Sequence, residues 1–465
     1  MNFMAAGTAE VVRGIAAGEF SAQEVLQSCL ERIDATDARI NAFTGRSYLR
    51  AQREAAAIDT TRARGEQLPP LAGLPYAVKN LYDIEGEVSL AGSKINRSNT
   101  PAKQDAVLIA QLKAAGAVLV GSLNMDEFAY GFTTENTHYG ACHNPHDLSR
   151  IAGGSSGGSG AAVAAQQVPL ALGSDTNGSI RVPASLCGVW GLKPTFGRLS
   201  RRGTHPFVHN IDHLGPLADS VEGLALSYDA MQLPDALDPG CHATVVQPVV
   251  GGLRQGLDGL RIGMLGGYFH DNAAPPARAA ARRVAAALGA SEGVAWPEPA
   301  LARAAAFIIS ASEGGALHLH NLRKRADDFE PLSVDRFISG ALQPAAWYVR
   351  AQRFRRVYRD KVNALFNDWD ILIAPATPVS APEIGTEWLD INGASLPCRA
   401  SMGLLTQPIS LAGCPVVCAP LWPEGTGGMP IGVQLIAAPW REDFALRAGW
   451  ALQQAGIACL RPVRL

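Results

Sequence analysis

The chain contains one long stretch without a charged residue, which spans residues 151–174. Its length approaches the roughly 20 residues that a membrane-spanning helix requires. The stretch nevertheless contains GGSSGGSG and a pair of glutamines, which would place polar groups and weak helix formers in lipid. We therefore expect no transmembrane helix and interpret residues 151–174 as a buried segment of a soluble core.

Apolar periodicity predicts the first helices and strands. Ser21 and Glu24 form a capping-box pattern ahead of apolar residues at helical spacing, which predicts a helix over about residues 21–35. The segment 105–121 predicts an amphipathic helix that is ended by a glycine and followed by a short apolar strand over 117–120. Together these patterns indicate units of the α/β type.

Later segments continue the alternation. Residues 277–288 are rich in Ala and Arg and predict a helix, and residues 371–374 predict a strand that Pro375 breaks. Helices that alternate with nearly all-apolar strands imply a sheet covered on both faces. We therefore predict a layered α/β fold in one large domain, with the Pro-, Gly- and Ala-rich residues 233–300 as a surface excursion.

Charge and cysteine content limit the partners and the compartment. The 40 Lys and Arg residues nearly balance the 42 Asp and Glu residues, so the chain has no global field that would attract nucleic acid or an anionic membrane. The eight cysteines are scattered without a CxxC pair, and the first residues lack the pattern of a signal peptide. We expect a reduced, cytoplasmic protein of enzyme size.

Two glycine- and serine-rich loops, residues 153–160 and 173–179, bracket a run of Ala and Val. Glycine allows close approach of the backbone, so such loops commonly present hydroxyl and N–H groups to a ligand. A phosphate-binding loop is disfavoured because neither a Gly-Lys-Ser/Thr ending nor a GxGxxG pattern is present. The other alternative is a flexible loop that has no chemical role. The presence of a second loop of the same composition makes this interpretation less favourable.

A serine nucleophile requires a base. The histidines near the loops lie in residues 138–146, whose spacing fits no familiar zinc site, and we interpret them as ordinary loop residues. Lys79 is the remaining base because it ends the apolar run 71–78, and burial depresses the pKa of a lysine. Without the serine loops, an ordinary surface lysine would be the better interpretation.

Three motifs resemble the amidase signature family: AVKN around Lys79, GGSSGGSG, and GSDTNGSIRVPASLCGVWGLKPT. The resemblance extends over nearly the whole chain. It implies a single amidase domain over residues 1–465, with the amidase signature fold and a signature core at about 71–220. That fold has a large mixed central β-sheet covered by helices on both faces. No metal and no organic cofactor are implied.

The resemblance also implies a Ser–cisSer–Lys triad. Ser179 corresponds to the nucleophile, Ser155 to a bridging serine that follows a cis peptide bond, and Lys79 to the base. The 24-residue step from Ser155 to Ser179 agrees with the family spacing. We interpret Asp175 and Arg181, which flank the nucleophile, as structural supports rather than chemical groups.

In the family, backbone N–H groups of the loop before the nucleophile form the oxyanion hole. The corresponding residues here are Thr176, Asn177, Gly178 and Ser179. Asn177 stands where many relatives have Gly. Because Asn tolerates unusual backbone angles, we expect the oxyanion hole to be retained, while the side chain could enter the substrate pocket.

The family acts on many amides, so the triad does not identify the substrate. The leading hypothesis is an amidohydrolase that releases ammonia from a small carboxylated urea-type amide. A carboxylate requires a cation, and by resemblance Arg336 corresponds to an arginine with which relatives bind the carboxylate of glutamine, against the alternative of a helix-surface arginine. Arg202 is the second candidate. By resemblance Met125 and Asp126 also lie near the pocket, although packing and helix capping would explain this pair too.

Two other functions remain open. NMDEFAYG and DHLGP resemble the glutaminase (A) subunit of a tRNA-dependent amidotransferase, but Arg202 stands where that subunit typically has Tyr. A catalytically silent scaffold is disfavoured because all three triad residues are present. The resemblance further implies a small helical partner subunit like the amidotransferase C subunit, with a heterotetramer as one arrangement, and neither direct nucleic-acid binding nor membrane binding.

Overall fold

The computed structural model describes residues 3–423 and 427–463 of the chain. The α-helices are α1 (Phe3–Ala6), α2 (Thr8–Ala17), α3 (Ala22–Ile40), α4 (Tyr48–Ala63), α5 (Val107–Ala114), α6 (Gly157–Ala164), α7 (Arg181–Cys187), α8 (Val221–Met231), α9 (Tyr268–Asp271), α10 (Pro275–Ala287), α11 (Pro299–Arg325), α12 (Val334–Ala341), α13 (Ala345–Leu365), α14 (Cys398–Ser401), α15 (Gln407–Ala412) and α16 (Glu442–Gln454).

The strands are β1 (Phe43–Arg46), β2 (Pro75–Lys79), β3 (Val118–Leu123), β4 (Glu135–Asn136), β5 (Gly140–Ala141), β6 (His143–Asn144), β7 (Asp147–Ile151), β8 (Leu170–Asp175), β9 (Trp190–Lys193), β10 (His213–Ala218), β11 (Ile262–Leu265), β12 (Ser291–Val294), β13 (Ile371–Pro375), β14 (Trp388–Ile391), β15 (Ala394–Pro397), β16 (Val416–Leu421) and β17 (Ile431–Ala437).

Eleven of the described strands form one mixed sheet in the order β1-β3-β2-β8-β10-β9-β16-β17-β13-β11-β12. The pairs β2–β3, β2–β8, β11–β13 and β11–β12 are parallel, and the remaining pairs are antiparallel. Most central strands are buried along their whole length, as expected of a sheet with no face in contact with water. The predicted α/β class and mixed central sheet are confirmed.

Neighbouring residues of β9 show that helices cover both faces of the sheet. A Cβ on Gly191 would contact Ala184 of α7, whereas a Cβ on Gly449 of α16 would contact the ring of Trp190. Because successive side chains of a strand point to opposite faces, α7 and α16 lie on opposite sides of the sheet. Helix α6 packs beside α7, and α8 packs beside α16.

The elements predicted from periodicity are present. Helix α3 starts at the predicted capping box, in which Ser21 Oγ accepts from Glu24 N and the Glu24 carboxylate accepts from Ser21 N. Helix α5 is followed by Gly116 at a φ of 88° and then by β3. Helix α10 and strand β13 match the two later predictions, with Pro375 as the last residue of the strand. Local apolar spacing therefore identified the element types and their approximate positions, although α3 continues to Ile40 and β3 to Leu123, beyond the predicted ends.

The segment 233–300 differs from a simple surface excursion. Its first part, to about residue 260, contains only one short 3-10 helix at Val250–Gly252 in the described chain. Its second part adds β11 and β12 to the edge of the large sheet, with α10 packed on β11, β13 and β17. The alanine-rich composition reflects this close packing of α10 on the strands.

The uncharged stretch 151–174 is divided among the end of β7, a loop, helix α6 and most of β8, and all of it is buried except Gln166. It does not form one continuous helix. A different helix, α11, has the length and apolar composition of a membrane span. It packs against α12, α13 and α15, and a core helix of a water-soluble fold shares those two properties.

Candidate active site

The carboxyl ends of two adjacent parallel strands, β2 and β8, bring together Lys79 and the first part of the nucleophile loop. Lys79 is the last residue of β2, and Val78 pairs with Leu172 of β8. The Lys79 Nζ donates to Ser155 Oγ at 2.7 Å and to Ser174 Oγ at 2.9 Å. The predicted base and bridging serine are therefore in hydrogen-bond contact, although 76 positions separate them in the chain.

Lys79 is fully buried. Burial lowers the pKa of its amine to about 7, against the opposing attraction of Asp126, Asp175 and Asp212. No carboxylate of the described residues lies within ion-pair distance of Nζ. A large fraction of the amine is therefore neutral near pH 7 and able to accept a proton.

Ser155 lies in the loop before α6, and the peptide bond between Gly154 and Ser155 is cis. The Ser155 carbonyl accepts from Asp126 N at 3.3 Å. The Asp126 carboxylate accepts from Arg399 and from Thr134 N. Asp126 thus lies beside the bridging serine and holds the loop around it, whereas the fully buried Met125 before it bonds to Asn124 and Asn136.

The nucleophile loop, residues 176–179, connects β8 to α7 and is buried. Among the described residues, the backbone N–H groups of Thr176, Asn177, Gly178 and Ser179 donate to no protein acceptor. Four unpaired and buried donors at one place are suited to a developing negative charge. No hydrogen bond joins the hydroxyls of Ser155 and Ser179 in the described part of the chain.

Thr406 fixes the shape of this loop. Its Oγ1 donates to Asn177 O at 2.6 Å. Gly178 has a φ of 140°, and a Cβ there would overlap the Thr406 hydroxyl. Gly178 is therefore required both for its backbone angle and for the close approach of Thr406.

A buried ion pair spans the same loop. Arg181 donates to both carboxylate oxygens of Asp175, at 2.9 and 3.0 Å, and both side chains are fully buried. Burial raises the pKa of the Asp175 carboxyl, but the guanidinium of Arg181 outweighs this effect and holds that pKa below its ordinary value. Arg181 also donates to Gln434 and to Thr406 O. The pair therefore ties the loop to β17 and to α15.

A small cavity of about 20 Å³ lies at Ser179. The loop residues Thr176 and Asn177 line it together with Arg336 of α12 and Gln407 of α15. The remaining wall is largely aromatic and consists of Ala129, Tyr130, Gly131, Phe132, Phe207 and Phe307. The lining combines a few polar groups with an apolar wall, as ligand sites do, and its volume in this structure is about that of a single water molecule.

Arg336 is the cation of this cavity. Its guanidinium lies 5.5 Å from the ring centre of Tyr130 and forms no ion pair and no side-chain hydrogen bond within the described residues. Burial and then the nearby charge of Arg399 lower the pKa of Arg336. A half-buried and uncompensated arginine beside the nucleophile can bind an anion.

Arg202, the second sequence candidate, is placed differently. Its Nε lies 2.8 Å from Asp235 Oδ2, so its charge is already paired. It lines a larger cavity of about 600 Å³ that also reaches Ser174 and Thr176, and it is absent from the cavity at Ser179. Of the two arginines, the structure brings only Arg336 to the nucleophile.

Several residues of the site carried no usable sequence signal. Ser174 is a second partner of Lys79, although it lies inside the same motif as the nucleophile. Gln407 Oε1 accepts from Arg303 at 3.0 Å, which leaves the amide nitrogen as a donor toward a ligand. Ser310 lies on α11, outside every motif named above. Tyr130 lies within the motif NMDEFAYG, but its place beside Arg336 could not be predicted from that motif.

The histidines of residues 138–146 are engaged by protein groups. The His138 ring lies 3.3 Å from Glu127, His143 contacts Leu148 O, and His146 contacts Cys187 O. Within residues 3–423 and 427–463, no group of three or more His, Cys, Asp or Glu side chains is arranged to hold a metal ion.

Known proteins resemble the chain over nearly its whole length. The family model described as Amidase matches residues 24–446. AtzE, which is part of the 1-carboxybiuret hydrolase of Pseudomonas sp. (strain ADP), is 73% identical over 454 residues, which cover 98% of this chain and 99% of that protein. The A subunit of the glutamyl-tRNA(Gln) amidotransferase of Moorella thermoacetica is 36% identical over 465 residues and 94% of each chain.

A solved structure resembles the whole chain with a TM-score of 0.97 and 73% identity, and the match covers 98% of this chain and 100% of that one. It is described as a vestigial protein complex that reveals the evolutionary origins of an s-triazine catabolic enzyme.

Proposed function

The chain belongs to the amidase signature family, and from this premise we propose that it releases ammonia from 1-carboxybiuret, a small carboxylated urea-type amide. We further propose that Lys79, Ser155 and Ser179 carry out the reaction as a Ser–cisSer–Lys triad. The observation that carries the proposal is the buried Lys79 amine, which contacts Ser155 Oγ and has no carboxylate partner in the described chain.

The reaction proceeds through an acyl-enzyme. Neutral Lys79 accepts the proton of Ser155 while Ser155 takes that of Ser179, and the Ser179 oxygen forms a bond to the amide carbon. The proton returns to the amide nitrogen, the C–N bond breaks, and ammonia leaves. Water then attacks the acyl carbon through the same relay and releases the acid. The free N–H groups of residues 176–179 stabilise the negative oxygen in both steps.

Arg336 supports a carboxylated substrate. A guanidinium without a protein partner can form two parallel hydrogen bonds with a carboxylate. Because Arg336 and Ser179 line one small cavity, a compound whose carboxylate lies close to its amide would satisfy both. Asp126 contributes indirectly, since it holds the loop of Ser155, and the buried Met125 packs beside it in the chain.

Ammonia release from a panel of amides tests the substrate. The purified protein, alone and with a co-expressed small partner, is assayed with 1-carboxybiuret, biuret, malonamide, allophanate and glutamine, and Ser179→Ala is the control for contaminating activity. We expect 1-carboxybiuret to have the highest kcat/KM. Glutamine as the sole good substrate would instead identify the glutaminase component of an amidotransferase, which the 36% identical relatives favour. A folded protein that is inactive on every amide would be a scaffold.

We infer that a small helical subunit binds this chain in the complete enzyme. The 73% identical relative is named as one subunit of its enzyme. Exposed apolar side chains on α13 and just after α12 offer a surface for such a partner, with Leu342 78% exposed and Trp347 52% exposed. We expect a co-expressed partner to co-elute with the chain in size-exclusion chromatography and Leu342→Glu to weaken that association. If Leu342→Glu binds the partner as well as the unmodified chain does, the interface lies outside this surface.

We further propose that the chain acts in the cytoplasm. All eight cysteines are free and lie within the described residues, which suits the reducing cytoplasm. We also propose that the chain acts as one amidase domain, because one family model matches residues 24–446. Limited proteolysis that released two stable, separately folded fragments would contradict the single domain.

A further inference from the structure

Asn177 is one of the residues that line the cavity at Ser179. It is 7% exposed, and its Nδ2 donates to Ser310 Oγ of α11 at 2.8 Å. The backbone of the same residue is held by Thr406, which donates to Asn177 O. The side chain is therefore anchored at its nitrogen end and at its backbone.

The other end of the Asn177 amide is unpaired. Its Oδ1 is buried and receives no hydrogen bond from any described residue. A buried carbonyl without a donor is costly, because the acceptor has lost its water without gaining a partner. Because Asn177 lines the cavity at Ser179, a ligand bound there is the available source of the missing donor.

The neighbouring polar groups are mainly donors. The loop N–H groups, the Arg336 guanidinium and the free amide nitrogen of Gln407 all donate, so they match carbonyl and carboxylate oxygens. They leave an N–H group of a urea-type compound without an acceptor. Asn177 Oδ1 supplies that acceptor, which a methylene group in the same position could not use.

We propose that Asn177 is a specificity-determining residue whose Oδ1 accepts a hydrogen bond from a urea N–H of the substrate. The inference rests on the proposed function and adds to it a reason why a urea-type chain is preferred over a methylene chain. Ser310 acts as a positioning residue, since it holds the Asn177 amide in the required orientation. A site built to bind an N–H discriminates against analogues that lack it.

Biuret and malonamide provide a matched pair for the test, because they differ only in a central N–H group against a central methylene group. The readout is the ratio of kcat/KM for biuret to kcat/KM for malonamide in each variant, divided by the same ratio in the unmodified enzyme. This double ratio cancels the intrinsic difference in reactivity between the two amides. A general loss of activity or stability cancels as well.

We expect Asn177→Leu, which keeps the size and removes the acceptor, to lower the ratio by about tenfold or more. Ser310→Ala should lower the ratio by a smaller factor. If Asn177→Leu does not fold, the ratio in Ser310→Ala is the test of the inference. Phe307→Leu is the matched control, because it alters the same cavity without a hydrogen-bonding group and should leave the ratio unchanged.

A ratio within about twofold of the unmodified enzyme in both Asn177→Leu and Ser310→Ala overturns the inference. If biuret and 1-carboxybiuret are still hydrolysed by the unmodified enzyme, the proposed function survives that result. If the unmodified enzyme hydrolyses neither compound, the proposed function fails and this inference fails with it.

Discussion

The amine of Lys79 lies 2.7 Å from the hydroxyl of Ser155, in an interior where no described carboxylate is close enough to form an ion pair with it. This relationship distinguishes a base from a structural lysine. A lysine that is paired with a carboxylate keeps its proton, whereas one that is buried against hydroxyl groups releases it near neutral pH.

Removal of the base should abolish most of the activity. We expect Lys79→Ala to lower kcat by at least about 100-fold, because the proton of Ser179 then has no acceptor. Steady-state ammonia release measures the effect, and circular dichroism verifies the fold. Lys193→Ala is the matched control for the loss of a buried amine, because Lys193 is equally buried but donates to backbone carbonyls. A near-normal rate in Lys79→Ala at neutral pH would exclude Lys79 as the base.

The rate should depend on pH through Lys79. Its pKa is lowered to about 7 and the neutral amine is the active form, so kcat/KM should rise with pH and level off above neutrality. Below that pKa we expect a fall of about tenfold per pH unit. Malonamide is the suitable substrate because it carries no charge of its own. A profile that rises steadily to about pH 10 would indicate a lysine of ordinary pKa.

Arg336 should determine the preference for a carboxylated amide. We expect Arg336→Gln to lower kcat/KM for 1-carboxybiuret relative to biuret by about 10- to 100-fold, because charge-assisted hydrogen bonds are lost. Arg202→Gln is the matched control, since Arg202 is paired with Asp235 and is absent from the cavity at Ser179. A larger loss of this preference in Arg202→Gln than in Arg336→Gln would show that the carboxylate binds in the cavity of about 600 Å³ instead.

The Asp175–Arg181 pair should contribute to stability. We expect Asp175→Ala to lower the free energy of unfolding by about 3–5 kcal/mol, because the buried guanidinium loses its counter-charge. Lys361→Ala removes an exposed ion pair with Glu298 and should change that free energy by less than about 1 kcal/mol. Denaturant unfolding measures both variants. Equal losses of unfolding free energy in the two variants would show that the buried pair stabilises the fold no more than the exposed pair does.

Much of the local structure could be predicted from sequence because its causes are local. The capping box of Ser21 and Glu24 starts α3, and an apolar run ends at Lys79 because β2 is buried up to its last residue. The family resemblance predicted a large mixed central sheet, whereas the number and order of its strands came only from the structure. Residues 233–300 were the weakest part of the prediction, since nothing in their composition identified β11 and β12 as edge strands of the large sheet.

The sequence by itself determined the chemical groups of this protein: a lysine at the end of an apolar strand and two serine loops on either side of a small helix. Only the tertiary structure decided which distant side chains meet those groups. Arg336 reaches the cavity and Arg202 does not, because the packing of α12 and the Asp235 carboxylate fix their positions. Asn177 of the nucleophile loop meets Ser310 of α11, which lies 133 positions away in the chain. Backbone conformation depends on neighbours in the chain, whereas a binding site depends on packing between helices and strands that are far apart in it.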